Sequence, residues 1–341
     1  VAERFHESSL IPFSFREAVY ALPETLSYPM LFYRTDVLEE MGLEVPQTWD
    51  DVIYVIDQLG KQQLQFAMPA PTTGVIGAGN STYATLLYQM GGTFYEEDGV
   101  ASTLNNKTAI EAFKVWTRFY TDYGLPIDYD FANRFRTGEM PIAIADYGSF
   151  NVLSVSAPEI DGLWDFCPIP GTLKTDENGN EYIDRTTVAT VTGAVIMTRA
   201  EERGHADECW EFLKWWTDAD AQSRFGTEME SLLGSAARYQ TANMDALEKM
   251  PWSTKAYNSL KEQRQWLTNI PEVPGGYYMP RQLEFAWRKV YTEKADPAEM
   301  LIEYVLGINQ EIERKREEFK DKLEAMPKSY RYTEKRGGEN Q

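Results

Sequence analysis

The stretch from Ala21 to Asp51, ALPETLSYPMLFYRTDVLEEMGLEVPQTWDD, decides how the rest of the chain is read. Pro23 and Pro29 each remove a backbone donor and push the preceding residue toward extended geometry, so the stretch opens as an extended run. Met30 to Tyr33 then predict a short apolar strand. A brief helix follows from Asp36 and stops at Gly42, where a left-handed residue costs little. Pro46 blocks its continuation. Thr48 and Asp51 stand at capping-box spacing, the hydroxyl taking one orphan amide and the carboxylate reaching back for another, so a second helix starts at Trp49.

A chain of 341 residues can bury a substantial core in one large or two medium domains. Its formal net charge of −20 argues against nucleic-acid or anionic-membrane partners, which demand basic surface. Nine Trp and twenty Tyr raise the aromatic content to 13%, more than a generic core needs. Flat ring faces suit the C–H faces of sugars, although most of these rings are expected in the core. No apolar run is long enough to span a membrane and no signal or lipobox cysteine is present, so export is not read from this sequence. Cys167 and Cys209 lie far apart and are expected as two buried free thiols rather than a disulfide. His6 and His205 lack partners at metal spacing and are read as surface residues, which leaves no metal site and no His-based triad.

Farther along, Val52, Ile53, Ile56 and Leu59 predict an amphipathic helix to Gly60. Phe66 to Pro69 reads as a short strand and Pro71 to Asn80 as a Gly- and Thr-rich loop without the context of a phosphate loop. Ser81 to Met90 is helical up to Gly91-Gly92. Asn105 or Asn106 caps a helix to Tyr123 with Ile110, Phe113, Trp116, Thr117 and Tyr120 as its buried stripe. In FRTGEMPIAIADYGSFN, Phe135 to Asn151, an apolar strand over Pro141 to Ala145 ends in the turn Asp146-Tyr147-Gly148-Ser149. Ligands bind beyond the carboxyl ends of strands in open α/β sheets, so this turn is a pocket candidate. Trp164 to Pro170 is a further strand, Asn178-Gly179 a hairpin tip, and Thr186 to Met197 an alternating stretch entering a strand at Gly193. Helices are expected over Asp207–Trp216, Ala219–Phe225 and near Tyr257 to Trp266, and another is capped by Asp296-Pro297. Disorder is expected from Met326 onward.

Carboxylates are abundant enough to raise a glycoside hydrolase, which needs two acids facing each other across a sugar. Glu24, Asp146 and Asp165 are its candidate members, but nothing in the sequence fixes their separation. No nucleophile elbow, CxxC or HExxH pattern competes. Binding needs only hydrogen-bonding side chains around hydroxyls and one or two rings beneath them.

The order of extended crossing, apolar strand, short helix, Pro-x-Thr-Trp-Asp and long helix in LFYRTDVLEEMGLEVPQTWDD resembles the solute-binding proteins of bacterial ABC importers, in the carbohydrate-binding branch that includes maltose-binding protein. ECWEFLKWWT followed by DAQSRFG, and the Pro141 to Ala145 strand with its ligand loop, fit the same resemblance, which runs from about Val19 to Phe319. It implies an α/β periplasmic-binding-protein-like fold of two lobes, joined by crossings at Ala21 and Thr186 to Met197. It implies no enzyme and no cofactor, a carbohydrate ligand (an oligosaccharide) and a membrane permease as partners, and an extracellular or periplasmic protein anchored to the membrane in its parent form. By position it assigns Glu24, Ser27 and Tyr28 in the first crossing, Asn80, Ser81 and Tyr83 at a helix start, Tyr147 and Ser149 after the apolar strand, Thr192 at the second crossing, and Tyr278 and Arg281 in a late loop. Tyr83 and Tyr278 are expected as exposed ring faces. Residues 1–28 and 193–235 are expected to form a partial first lobe, 29–192 and 236–325 a second lobe, and 326–341 a tail. A partial lobe leaves an open sheet edge and bare helix faces, so self-association is expected. The alternative is a sensor or protein-interaction module on the same fold with a degenerate cleft.

Overall fold

The apolar run at Met30 becomes an inner strand of a four-stranded sheet in the computed structural model, which describes residues 1–15, 18–71 and 81–325. Strand β1 (Leu22–Ser27) runs through Tyr28 into β2 (Pro29–Arg34). With β3 (Phe66–Ala67), β4 (Ile142–Asp146) and β5 (Trp164–Cys167), β2 forms a sheet in the spatial order β3-β4-β2-β5, in which only β3 and β4 pair in parallel. Leu31 lies opposite Ile144 and Cys167, and Phe32 opposite Ala143 and Phe166. The pleat therefore sends Leu31, Tyr33, Ile142 and Ile144 to one face and Met30, Phe32 and Phe166 to the other. Both faces are covered, which is why the strand shows no polar alternation.

The principal helices are α1 (Thr35–Met41), α2 (Trp49–Lys61), α3 (Ser81–Gln89), α4 (Lys107–Thr121) and α5 (Ser149–Ser156). They continue as α6 (Ala206–Trp216), α7 (Ala219–Leu233), α8 (Thr254–Arg264), α9 (Met279–Glu293) and α10 (Pro297–Glu318). Helices α2, α3, α4, α9 and α10 bury one continuous core against the Leu31 face. The expected start of α2 is present in full: Thr48 Oγ1 accepts from the Asp51 amide at 3.2 Å and Asp51 Oδ2 accepts from the Thr48 amide at 2.8 Å. Helix α1 ends at Gly42 with φ +64°. Asn106 caps α4, and of its expected stripe Ile110 alone is half-buried.

β6 (Thr172–Thr175) and β7 (Glu181–Asp184) form the expected hairpin around Asn178-Gly179. β8 (Thr190–Ala194) then crosses back and pairs antiparallel with β1. Close packing there requires Gly193, since a Cβ at that position would fall 2.6 Å from the Phe13 ring. The register shifts between Thr192, opposite Thr25, and Gly193, opposite Pro23. Glu24 is the extra residue of this bulge.

Three expectations need correction. Helix α7 does not stop at Phe225 but runs on to Leu233; Gly226 is a packing glycine inside it, with Met250 Cε 2.3 Å from where its Cβ would be. His6 is not a free surface residue, because its half-buried ring caps a short helix by accepting from the Ser8 amide, and burial lowers its pKa. Cys167 and Cys209 are free, but both are half-buried rather than buried. Residues 72–80 of the expected loop, Asn80 among them, and the expected tail over 326–341 lie outside the described residues. Among the described residues no helix is long and apolar enough to cross a membrane.

Candidate ligand-binding site at the first crossing

Three passages of chain meet where β1 runs into β2. β8 lies along one edge of β1. Along the other runs the segment after α7, held by Leu26 N–H to Gln240 O at 2.9 Å and Ala242 N–H to Glu24 O at 3.0 Å. The turn after β4 closes the third side, with the Tyr147 amide donating to Tyr28 O at 3.0 Å. Extended segments of different origin thus present short polar side chains to a common place.

Asp146, exposed at the carboxyl end of β4, is the hub. It accepts from Ser27 Oγ, from the Gly148 amide at 2.8 Å and from Gln240 Nε2 at 3.1 Å. Gly148 is required by this approach, because a Cβ there would stand 2.1 Å from Gln240 Nε2. Ser149 follows at the first turn of α5, half-buried. Beside this hub, Thr25 and Thr192 share a hydrogen bond of 2.5 Å between their hydroxyls. Glu24, at the bulge, accepts from the Trp216 indole N–H at 2.9 Å. Bulges re-aim side chains in this way.

Tyr28 and Tyr147 lie at this crossing as buried rings. Both rings are 1% exposed and lie against each other at 4.9 Å. Their hydroxyls donate to the carbonyls of Leu260 at 3.1 Å and Leu26 at 2.9 Å, and burial pushes both phenols well above the ordinary tyrosine range. They form the floor of the crossing rather than open stacking faces. Tyr83 is fully buried, stacked on Trp116 at 5.5 Å with its hydroxyl donating to Ala109 O, so the expected exposed ring there is a core ring. Tyr278 is half-buried beside Gly307 of α10, and Arg281 is exposed with its guanidinium over Phe285. Ser81 begins α3.

The structure therefore brings Ser27 and Gln240 to Asp146 with Ser149 in the next turn, sets Thr192 against Thr25 and Glu24 against Trp216 along β1, buries Tyr28 and Tyr147 in the same crossing, and puts Tyr83, Tyr278 and Arg281 on the helical side of the larger core. Sequence reasoning did not single out Thr25, Trp216 or Gln240, which the structure brings to this crossing. Trp216 was visible only as one of several rings in ECWEFLKWWT, and Gln240 carried no local signal at all, because its position depends on a return of the chain to β1. Asp165, the third acid of the hydrolase alternative, is instead paired with Lys255. Among the described residues no group of three or more His, Cys, Asp or Glu is placed to hold a metal ion.

These features define an α/β protein in which two crossings of the chain and the turn after β4 meet. The profile of the bacterial extracellular solute-binding protein family matches residues 4–223, and the chain belongs to that family. Solved structures share the periplasmic-binding-protein fold at low identity. An ABC transporter solute-binding protein from Thermotoga lettingae bound with α-D-tagatose is 17% identical, with a TM-score of 0.68 over 91% of this chain and 76% of its own. The sugar-binding protein MalE from Xanthomonas citri is 14% identical, with a TM-score of 0.69 over 94% and 77%. A cyclic α-maltosyl-1,6-maltose binding protein from Arthrobacter globiformis is 15% identical, with a TM-score of 0.67 over 92% and 77%. A search of curated protein sequences finds no match.

Proposed function

We propose that this protein is the ligand-binding component of an ABC importer, that its ligand is a carbohydrate, an oligosaccharide by class, and that it binds this ligand at the first crossing without altering it. The observation that carries the reading is the cluster of Glu24, Thr25, Ser27, Asp146, Thr192 and Gln240 at the junction of three chain passages. Short hydroxyls, an amide and carboxylates are the groups that satisfy sugar hydroxyls. Family membership and solved structures of sugar-binding proteins of the same fold, one of them bound with α-D-tagatose, support it. Within this reading residues 1–28 and 193–235 belong to one lobe and residues 29–192 and 236–325 to the other, with a permease as membrane partner and an extracellular or periplasmic anchored location. Asn80, Ser81, Tyr278 and Arg281 remain assigned to the ligand by family position.

The test is isothermal titration against maltotriose, cellotriose, xylotriose, raffinose and chitotriose, followed by chromatography of the incubated sugars. Saturable binding of at least one sugar with no new product is the expected result. Cleavage abolished by Glu24→Gln or Asp146→Asn overturns it in favour of a hydrolase. Association of two copies through the α6 face is proposed as a secondary property, read by sedimentation at increasing concentration.

A further inference from the structure

Beside Glu24 lies a group of side chains that no family position assigns. Trp216 stands edge-on to Phe225 at 5.0 Å, and Phe225 stands edge-on to Tyr239 at 5.0 Å. Gln222 fastens this aromatic row to the polypeptide on both sides. Its amide donates to Trp216 O at 2.8 Å and its carbonyl accepts from Thr241 Oγ1 at 2.9 Å. The Trp216 indole donates to Glu24 Oε1 at 2.9 Å, which leaves Oε2 free of that bond. The Tyr239 hydroxyl is buried beside the Glu24 carboxylate and the Gln222 amide without completing a hydrogen bond to either. A buried hydroxyl left unpaired costs stability, and such a group persists where another state of the protein uses it.

We infer that Trp216 and Tyr239 are positioning residues of the binding site, which set the Glu24 carboxylate to accept a hydrogen bond from an uncharged, hydroxyl-bearing ligand and not from an anionic one. The inference rests on the proposed carbohydrate function. The indole holds one carboxylate oxygen at the bulge and leaves the other to meet the ligand. A ligand hydroxyl that donates to this oxygen turns the carboxylate, and the Tyr239 hydroxyl then gains the acceptor it lacks. A ligand carboxylate brought to the same place offers no proton to Glu24 and meets its charge instead.

Three variants test this, with melting temperature and titration as readouts. The sugar probe is the tightest binder among maltotriose, cellotriose, xylotriose, raffinose and chitotriose, and the anionic probe is trigalacturonate. Trp216→Phe keeps a ring against Phe225 and removes only the N–H. It should weaken sugar binding about tenfold, as expected for one hydrogen bond to a charged group, with the melting temperature nearly unchanged. In a Glu24→Gln background the same change should add little, because its effect passes through that carboxylate. Tyr239→Phe should raise the melting temperature of the free protein, by removing an unpaired buried hydroxyl, and yet weaken sugar binding several-fold. A merely structural tyrosine would not separate those two readouts. The wild-type protein should not bind trigalacturonate measurably. Sugar binding that is unchanged in Trp216→Phe or Tyr239→Phe, additive losses in the double variant, or trigalacturonate bound as tightly as the sugar overturns the inference and leaves the carbohydrate reading standing. Failure of every sugar in the panel to bind overturns both.

Discussion

Helices α4 and α6 carry nearly the same kind of pattern and end in opposite surroundings. In α4, Phe113, Trp116 and Phe119 are fully buried among α3, α9 and α10. In α6, Leu213 is buried and Trp216 half-buried against the first crossing, whereas Phe212 and Trp215 are 57% and 58% exposed. Val195 and Met197 beyond β8, and Leu232 and Leu233 at the end of α7, are exposed as well. A periodic apolar pattern states that a face will be covered if something is there to cover it. It does not state what the cover is. The α4 region is a finished core; the α6 region, among the described residues, has its inner side packed and its outer side bare.

The largest expected effect tests that contrast directly. Phe113→Ala removes a ring from the finished core and should cost about 3–5 kcal/mol in urea unfolding, as a cavity is left that the surrounding helices cannot fill. Phe212→Ala should stay within about 0.5 kcal/mol when measured on dilute, monomeric protein, because its ring is already in water there. A cost of several kcal/mol for Phe212→Ala would show that α6 is covered within the monomer, by chain beyond the described residues, and the comparison would fail.

The extent to which the molecule was legible in its sequence follows the same division. β2, α1 and α2 could be read because their signals are local: Gly42, Pro46 and the Thr48–Asp51 pair each act within one turn. β4 and its terminal turn could be read for the same reason. The roles of Tyr28, Tyr83 and Tyr147 could not, since a tyrosine in a loop and a tyrosine in a core look alike until the chain has folded around them. Gln240 and Trp216 were out of reach for a stronger reason. Each acquires its function from a partner in β1 or the β4 turn, far away in the chain, and no periodicity or cap records such a meeting. The helix read over Ala219–Phe225 continues to Leu233, because Gly226 lies inside it as a contact for Met250, which no local signal records.

The two thiols extend the comparison to alkaline pH. Cys167 lies in the finished region, on β5, and its pKa is pushed up to about 12, first by burial and then by the charges of Asp165 and Glu262 against the opposing effect of Arg185. A thiol whose folded pKa is raised contributes stability that is fully present below its unfolded pKa, about 8.5, and is lost as pH rises toward the folded value. The slope is about 1.4 kcal/mol per pH unit in that window, or about 2 kcal/mol by pH 10. Unfolding free energies measured from pH 8 to 10 should therefore fall less steeply in Cys167→Ala than in wild type. Equal slopes would remove Cys167 from the packed side of the comparison.

A smaller effect is expected at the entry to α2. Thr48→Ala deletes one half of the capping box and should cost about 1 kcal/mol, the usual loss for an N-cap hydroxyl. Asp51 would still reach back to the amides of Thr48 and Gln47, at 2.8 and 3.1 Å, so the helix itself should remain by circular dichroism. A cost near zero would mean that packing of Trp49 and Val52 alone sets the start of the helix.

The smallest effect on stability, and the sharpest on function, is expected at Gly148, where the finished sheet meets the crossing. Its backbone is in an ordinary helical conformation, φ −59°, so alanine brings no backbone strain. What an added Cβ would meet is the amide end of Gln240, a flexible side chain that can swing away toward solvent. The fold loses one partly exposed hydrogen bond to Asp146, and the expected cost stays below about 1 kcal/mol. The site loses more. Gln240 ties the segment after α7 to the carboxyl end of β4, and with that tie gone Asp146 keeps only its bonds to Ser27 and the Gly148 amide. Sugar affinity should therefore fall by a larger factor than stability, about tenfold, while Gln240→Ala reproduces the loss without any steric change. Agreement between Gly148→Ala and Gln240→Ala would place the effect in the shared hydrogen bond. A large drop in melting temperature for Gly148→Ala alone would instead make this glycine part of the packed framework, and would move the boundary between the two regions to the near side of the turn.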